Sequence, residues 1–371
     1  LAAYSMGLLN SLKHFVVPAF APCLLNVSLI VFAMLFGEGI KGLALGVLVG
    51  GVLQLAIQIP VLYRKGFRLK LFHSFRHPAA GLIGKLMIPR VLSTSIYQLN
   101  NFVDSIFGSL AWIVGEGGVA VLYFSYRLVL FPLGIFSNSL SQAILPAFST
   151  QVLEADHTNL KHTLSWGLRA TFFVMLPASV GFMVLSYPLI YVLFGGGRFD
   201  LNSVHLTSNA LFFYSIGLFA YGGTKILQSC FFAMKDTKTP TKVSALALVS
   251  NIILNAIFMF PLKTGGLALA TSLSGISSFV MLFFLLRKKL GGINEIEIAA
   301  SFLRILFASI GMGLVSWILY ARLGIAECSV ISRVISLGAL ILLSLLAYLG
   351  FCIIFKVREM RELFNWFMHK K

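Results

Sequence analysis

TKVSALALVSNIILNAIFMFPLKTGGLALATSLSGISSFVMLFFLL, residues 241–286, decides the fold. Its two apolar runs, 241–262 and 266–286, are each close to the ~20 residues that cross a bilayer as an α-helix. PLKTGG between them supplies the break. The stretch reads as two membrane-spanning helices joined by a short turn.

Working outward, the same pattern fills the chain. The expected spans are 1–12 (partial), 19–37, 42–63, 87–113, 119–148, 167–194, 205–233, 241–262, 266–286, 299–321 and 330–355. Composition agrees: of 371 residues 58% are hydrophobic and 11% charged, against ~25% charged in ordinary soluble domains, and the mean hydropathy is +0.92. A soluble globular protein is excluded, and the chain is a polytopic helical membrane protein.

The formal charge of +17 could signal nucleic acid, because a basic surface releases counterions from phosphates. Its placement points elsewhere. The cations gather after every second span, 22 on one side against five on the other (Lys41, Arg198, Lys263, Arg322 and Arg333). That bias marks the cytoplasmic face and places the C-terminus there; no nucleic-acid partner is expected. Four cysteines, Cys23, Cys230, Cys328 and Cys352, lie far apart without a CxxC pair and read as packing thiols.

GLALATSLSG at 266–275 matches GLALGVLVGG at 42–51 in five of ten positions. The copies stand six spans apart along the chain, an even offset, so the two repeats share one orientation and form parallel lobes, as repeated halves do in transporters. The expected organisation is the remainder of an N-terminal lobe over 1–63, a basic cytoplasmic linker over 64–86, a six-helix C-terminal lobe over 87–289, and two additional helices with a basic cytoplasmic tail over 290–371. The first lobe is then incomplete. Leu1 opens mid-helix with neither an initiator Met nor a basic n-region, which puts three to four spans upstream and fourteen helices in the complete protein.

Two cations fall in no loop. Arg127, in VLYFSYRLVLFPLG, costs on the order of 2.5 to 3.5 kcal/mol inside a span unless it faces water or a partner, which favours a cavity-lining role over snorkelling to the headgroups. Lys225, in AYGGTKILQSC, follows Gly222, Gly223 and Thr224, which admit a close neighbour. Asp104, in QLNNFVDSIF, is the carboxylate well inside a span, and a partner for one of these cations. Asn251 and Asn255 share one helix face, and Thr271 follows on the next span. With Asp104 they offer oxygen ligands for a hard cation or, as such residues more usually do, interhelical hydrogen bonds. No metal site is certain, no catalytic residue is assigned, and no cofactor is indicated. The chain lacks a Walker loop, HExxH, GxSxG and paired loop carboxylates, so a transporter with an anionic substrate is favoured over a membrane enzyme.

Four segments carry a family resemblance: NSLKHFVVPAFAPCLLNVSLI (10–30), LYFSYRLVLFPLGIFSNSLSQAILPAFS (122–149), LFGGGRFD (193–200) and FFAMKDTKTPTK (231–242). They are similar to the signature stretches of the MurJ (MviN) family, within the multidrug/oligosaccharidyl-lipid/polysaccharide exporter superfamily. The resemblance implies an inner-membrane flippase that moves lipid II, the undecaprenyl-diphosphate-linked peptidoglycan precursor, to the outer leaflet by alternating access. It places Arg127 at the family's cavity arginine, facing a diphosphate or acidic peptide; Lys225, read from its own position in a span, is the second substrate-binding cation. It places Asp104, Asn251, Asn255 and Thr271 where relatives hold a coupling cation such as Na+, Asn255 standing at a position that is acidic elsewhere. The last two spans correspond to a pair that opens a groove for the lipid tail. Membrane lipids and other cell-wall synthesis proteins are the further partners implied. Where the family commonly has Asp before the cavity arginine, this chain has Tyr126. The alternatives are export of another lipid-linked oligosaccharide, of O-antigen or capsule type, then drug export or a cell-wall scaffold; the intramembrane cations speak against the last two.

Overall fold

The computed structural model of the chain describes residues 1–12, 14, 16–37, 40–67, 98–197, 199–323 and 330–360, and every regular element among them is helical. The basic stretch 68–97, Arg198, Cys328 and the tail from 361 fall outside these residues. The chain divides into two compact units, Leu1–Leu86 and Met87–Lys371.

The first unit contains α1 (Ala2–Ser11), α2 (Val16–Phe36) and α3 (Ile40–Arg64). Lipid is as apolar as leucine, so helices associate in it through close packing rather than burial from water. The GLALGVLVGG stretch supplies that packing: Gly42, Gly46 and Gly50 form one ridge of α3, all buried. A Cβ on Gly50 would stand 2.9 Å from the Leu25 Cα of α2. The approach also lets Ser28 Oγ donate to the Gly46 carbonyl at 2.8 Å.

The second unit begins, among the described residues, with α4 (98–108) and a one-turn α5 (Ala111–Val114). Next come α6 (Gly118–Pro132), a π-helical turn (Leu133–Asn138) and α7 (Ser139–Leu153). Asp156 starts α8 (His157–Phe194) by accepting from the Asn159 amide at 3.0 Å, and Asp200 does the same for α9 (Leu201–Ile216) through Ser203 at 2.8 Å. Hydrogen bonds from Ser203 hold the Asp200 carboxyl below the usual range. α10 (Leu218–Ala233) follows α9 across a 44° bend at Gly217. Then come α11 (Lys238–Leu290), α12 (Glu295–Leu323) and α13 (Val330–Ile354).

α11 holds the two spans read from 241–286. Its 53 residues would reach ~80 Å at 1.5 Å per residue, far beyond a hydrocarbon core of ~30 Å. Lys263, with φ 51° and ψ −129°, breaks it just after Pro261, and the chain doubles back so that Asn251 reaches Thr271. Beyond the break, Gly266, Ala270 and Ser274 are buried at the repeat positions of Gly42, Gly46 and Gly50. The repeated motif is a ridge of small residues.

Among the described residues, seven helices or helix runs, and the bent α9–α10 pair, are long and apolar enough to cross a membrane. The structure moves one expected boundary by about three turns. The span expected from 167 starts ten residues earlier, because Asp156 caps it. Arg169, grouped by sequence with the loop cations, therefore lies inside α8, where it is buried and paired with Glu359 at 2.9 Å. Cys23, Cys230 and Cys352 are free thiols, the last two buried.

The terminal helices belong to the core of the second unit. Phe172 of α8 sets its ring edge-on to Phe219, Phe279 and Phe302, at 5.1 to 6.4 Å between centroids. Tyr348 of α13 donates to the Phe173 carbonyl at 2.7 Å, and Ser316 of α12 donates to Ser344 of α13 at 2.7 Å.

Candidate functional site

Three apolar segments each bring a polar residue to one point in the second unit. α4 carries Asp104, the first half of α11 carries Asn251 and Asn255, and the second half carries Thr271. The break at Lys263 makes the meeting possible. Asn255 Nδ2 donates to Asp104 Oδ1 at 2.8 Å and to Asn251 Oδ1 at 2.9 Å. Thr271 Oγ1 lies 3.2 Å from Asp104 Oδ2 and 3.1 Å from the Leu267 carbonyl, and accepts from Asn251 Nδ2 at 3.1 Å. All four residues are buried. Asn255 Oδ1 is a buried oxygen with no hydrogen-bond partner among the described residues.

Asp104 does not serve as an ion-pair partner for Arg127 or Lys225. Its carboxylate is held by neutral donors alone, and no described cation lies within ion-pair distance of it. Asp104 and Arg127 instead line one cavity of about 390 Å³ with Asn100, Asn101, Tyr126 and Tyr214. Arg127 stands about 14 Å along α6 from Gly118, at ~1.5 Å per residue. Its guanidinium is 5.8 Å from the centroid of Tyr123, one helical turn before it.

Lys225 lines a second cavity, of about 410 Å³, with Thr224, Gln228, Asn138 and Tyr221. Gly222 and Gly223 are buried just before it; a Cβ on Gly222 would meet Ser137, Met175 and Thr171. The two cavities share Asn100, Tyr126, Leu130 and Thr271 in their walls. The π turn that starts at Leu133 follows Pro132, which cannot donate a ladder hydrogen bond. Leu133 and Asn138 at its two ends both line the second cavity.

Sequence reasoning noted Tyr126 only as a departure from the family pattern and missed Tyr214 and Tyr221. Tyr126 and Tyr214 pack ring on ring at 5.2 Å between centroids and both border the first cavity, while Tyr221 borders the second. Phenols in apolar helices read as core, so only their position beside Asp104 singles them out. The arrangement offers oxygen donors around one carboxylate and two cations facing adjoining cavities. That chemistry binds; no nucleophile and base are paired in it.

The family profile described as "Lipid II flippase MurJ" matches residues 1–338. The chain is 37% identical over 285 residues to a "Probable lipid II flippase MurJ" of Vibrio cholerae, covering 76% of this chain and 54% of that one. It is 32% identical over 368 residues to the "Probable lipid II flippase MurJ" of Haemophilus influenzae, covering 96% and 71%. The chain thus spans about half the length of the first relative. Among solved structures it is similar to "Lipid II flippase MurJ, inward closed conformation", with TM-score 0.79, 28% identity and coverage of 98% of this chain and 71% of that one. A MATE transporter in the straight conformation shares the fold, with TM-score 0.52 at 16% identity over 78% of this chain and 66% of that one.

Proposed function

The chain belongs to the lipid II flippase MurJ family, and from that premise we propose that it is the larger part of a flippase that carries lipid II from the inner to the outer leaflet of the bacterial cytoplasmic membrane by alternating access. The observation that carries the reading is the pair of adjoining cavities with Arg127 on one and Lys225 on the other. An amphiphile with a diphosphate and an acidic peptide needs cations at membrane depth, where an unused charge is costly. Arg127 suits the diphosphate because its planar fork matches two phosphate oxygens at once. The charge bias of the loops supports a cytoplasmic C-terminus, and the cell-wall synthesis proteins that deliver and consume lipid II are the functional neighbours this reading implies.

Asp104, Asn251, Asn255 and Thr271 are the residues to hold a monovalent cation such as Na+. Two carboxylate oxygens, two amide oxygens and a hydroxyl are the ligand types of hard cations, and a single formal negative charge matches a single positive one. The unpartnered Asn255 Oδ1 is the group such an ion would satisfy.

The test uses the organism's full-length protein, depleted in cells and replaced by Arg127→Ala at equal abundance. Lipid II on the outer leaflet is scored with an impermeant reagent. A collapse of the outer pool with accumulation inside supports the reading; an outer pool equal to the parent's sinks the role of Arg127.

A further inference from the structure

A third opening lies away from these cavities, at the end of the second unit where α8 and α12 begin and the chain leaves α13. It encloses about 1060 Å³. Lys161, Arg169, Arg287, Arg304 and Arg358 reach it, against Glu295, Glu297 and Glu359. Its surplus is positive.

The pairing inside it is uneven. Arg169 is bound to Glu359 at 2.9 Å and lies 3.7 Å from Glu297, and Ser301 donates to the same Glu359 oxygen at 2.7 Å. Arg358 lies 3.4 Å from Glu297, and Arg287 is paired with Glu295. Every carboxylate therefore has a cation. Lys161 and Arg304 have no carboxylate within ion-pair distance among the described residues. They come from two different helices, α8 and α12, and both line the opening. Lys161 stands about two turns before Arg169 on α8, and Arg304 is one turn beyond Ser301 on α12. Both line the same opening as the carboxylates whose charges are already matched.

Two unmatched cations lining one opening with a buried ion pair repel one another until an anion joins them. A phosphate oxygen set takes hydrogen bonds from an ammonium and a guanidinium at once. The place is also one where phosphate is abundant. Ile296 on the rim is 86% exposed, and Leu303 and Phe307 continue an exposed apolar strip along α12, so the opening sits where membrane surface meets headgroup, the setting in which basic pockets between helices take anionic lipid.

We propose that this opening is a binding site for a phosphate group, held by Lys161 and Arg304 in the opening that the Arg169–Glu359 pair also lines. The inference is independent of the flippase reading, since it uses none of the residues assigned to lipid II or to a coupling cation. The phosphate comes from an anionic phospholipid headgroup or from solution, and the probes separate the two.

The purified 371-residue chain in detergent is titrated with dihexanoyl phosphatidylglycerol, dihexanoyl phosphatidylcholine and inorganic phosphate, with binding followed by calorimetry. Parent protein binds an anionic probe at one site, and Lys161→Gln/Arg304→Gln lowers that affinity at least tenfold. A control that removes the same charge elsewhere, Lys41→Gln/Arg322→Gln, binds as the parent does. Lys161 and Arg304 carry no ion pair among the described residues, so their loss leaves the helical circular dichroism intact. Binding of phosphatidylglycerol without inorganic phosphate identifies the headgroup as the source, and equal binding of the two identifies soluble phosphate. Three results overturn the site: no anionic probe binds, the double variant binds within twofold of the parent, or phosphatidylcholine binds as tightly as phosphatidylglycerol.

Discussion

Asp104 is a carboxylate in an apolar helix whose described partners, Asn255 and Thr271, are both neutral. Hydrogen bonds spread its charge without cancelling it, and burial makes that charge costly. A bound monovalent cation relieves the cost, and binding to the folded state alone stabilises by about 2.7 kcal/mol at a hundredfold excess over Kd. Replacing choline by Na+ should therefore raise the melting temperature of the parent protein and leave Asp104→Asn unmoved. An equal rise in both would remove Asp104 from the site. Arg169 poses the opposite case, a buried charge with its counter-charge in place. Breaking such a pair costs about 3 to 5 kcal/mol, whereas replacing both members by apolar groups is often neutral. Arg169→Met alone should destabilise strongly, and Arg169→Met/Glu359→Leu should recover most of the loss in denaturant unfolding. The sequence discloses Asp104, Asn251, Asn255 and Thr271 because polar residues inside apolar runs stand out one by one. It hides Arg169, whose position near a helix start resembles a loop cation, and hides its partner Glu359, 190 residues away.

Helix packing depends here on residues that are small rather than on residues that are greasy. Gly50→Leu places a branched side chain where a single Cβ would already stand 2.7 Å from a Leu25 methyl. Overpacking of this kind costs about 1 to 3 kcal/mol, so the variant should melt earlier, while Gly51→Leu, at a position with open space around it, should melt with the parent. The KDTKTPTK turn shows a second element-scale device. Asp236 accepts from the Thr239 amide at 3.1 Å and hydroxyl at 2.9 Å and from Lys289 at 2.7 Å, which ties the start of α11 to its end. The bond from Lys289 is the main reason its carboxyl falls to about 2 from an ordinary 3.8. A carboxyl depressed on folding contributes stability above its unfolded value and loses it as pH falls through the folded one. The difference in melting temperature between the parent and Asp236→Asn should hold above about pH 4, shrink as the pH falls toward about 2 and vanish below it. A difference that persists at the lower pH would mean that Asp236 acts by shape and not by charge. Helices and breaks were legible from apolar run lengths and from Pro and Gly. The π turn and the bend at Gly217 were not, because both preserve the hydrophobic pattern while changing only the register.

At the scale of the molecule, the loop cations and the helix count make one joint claim about orientation. With Arg169 set aside as a buried residue of α8, the bias of the remaining loop cations predicts a side for each loop, and the spans must then alternate without exception for the tail to share the side of Lys288 and Lys289. The α12–α13 pair adds an even number of crossings between those lysines and the C-terminus, and its packing on α8 through Phe302 and Tyr348 fixes both helices in the bundle rather than at its surface. The N-terminal parts of α8 and α12 and the segment just after α13 meet at Arg169, Glu297 and Glu359, so one ion-paired cluster ties three elements at one end of the second unit. That contact requires α13 to run opposite to α12, as alternation demands. A green fluorescent protein fused after Lys371 should therefore fluoresce in cells, since it folds in the cytoplasm, and alkaline phosphatase fused at the same point should be inactive. Fusions cut after Leu323, between α12 and α13, should reverse both signals. Matching signals at the two points would break the alternation and, with it, the cytoplasmic assignment of the basic loops.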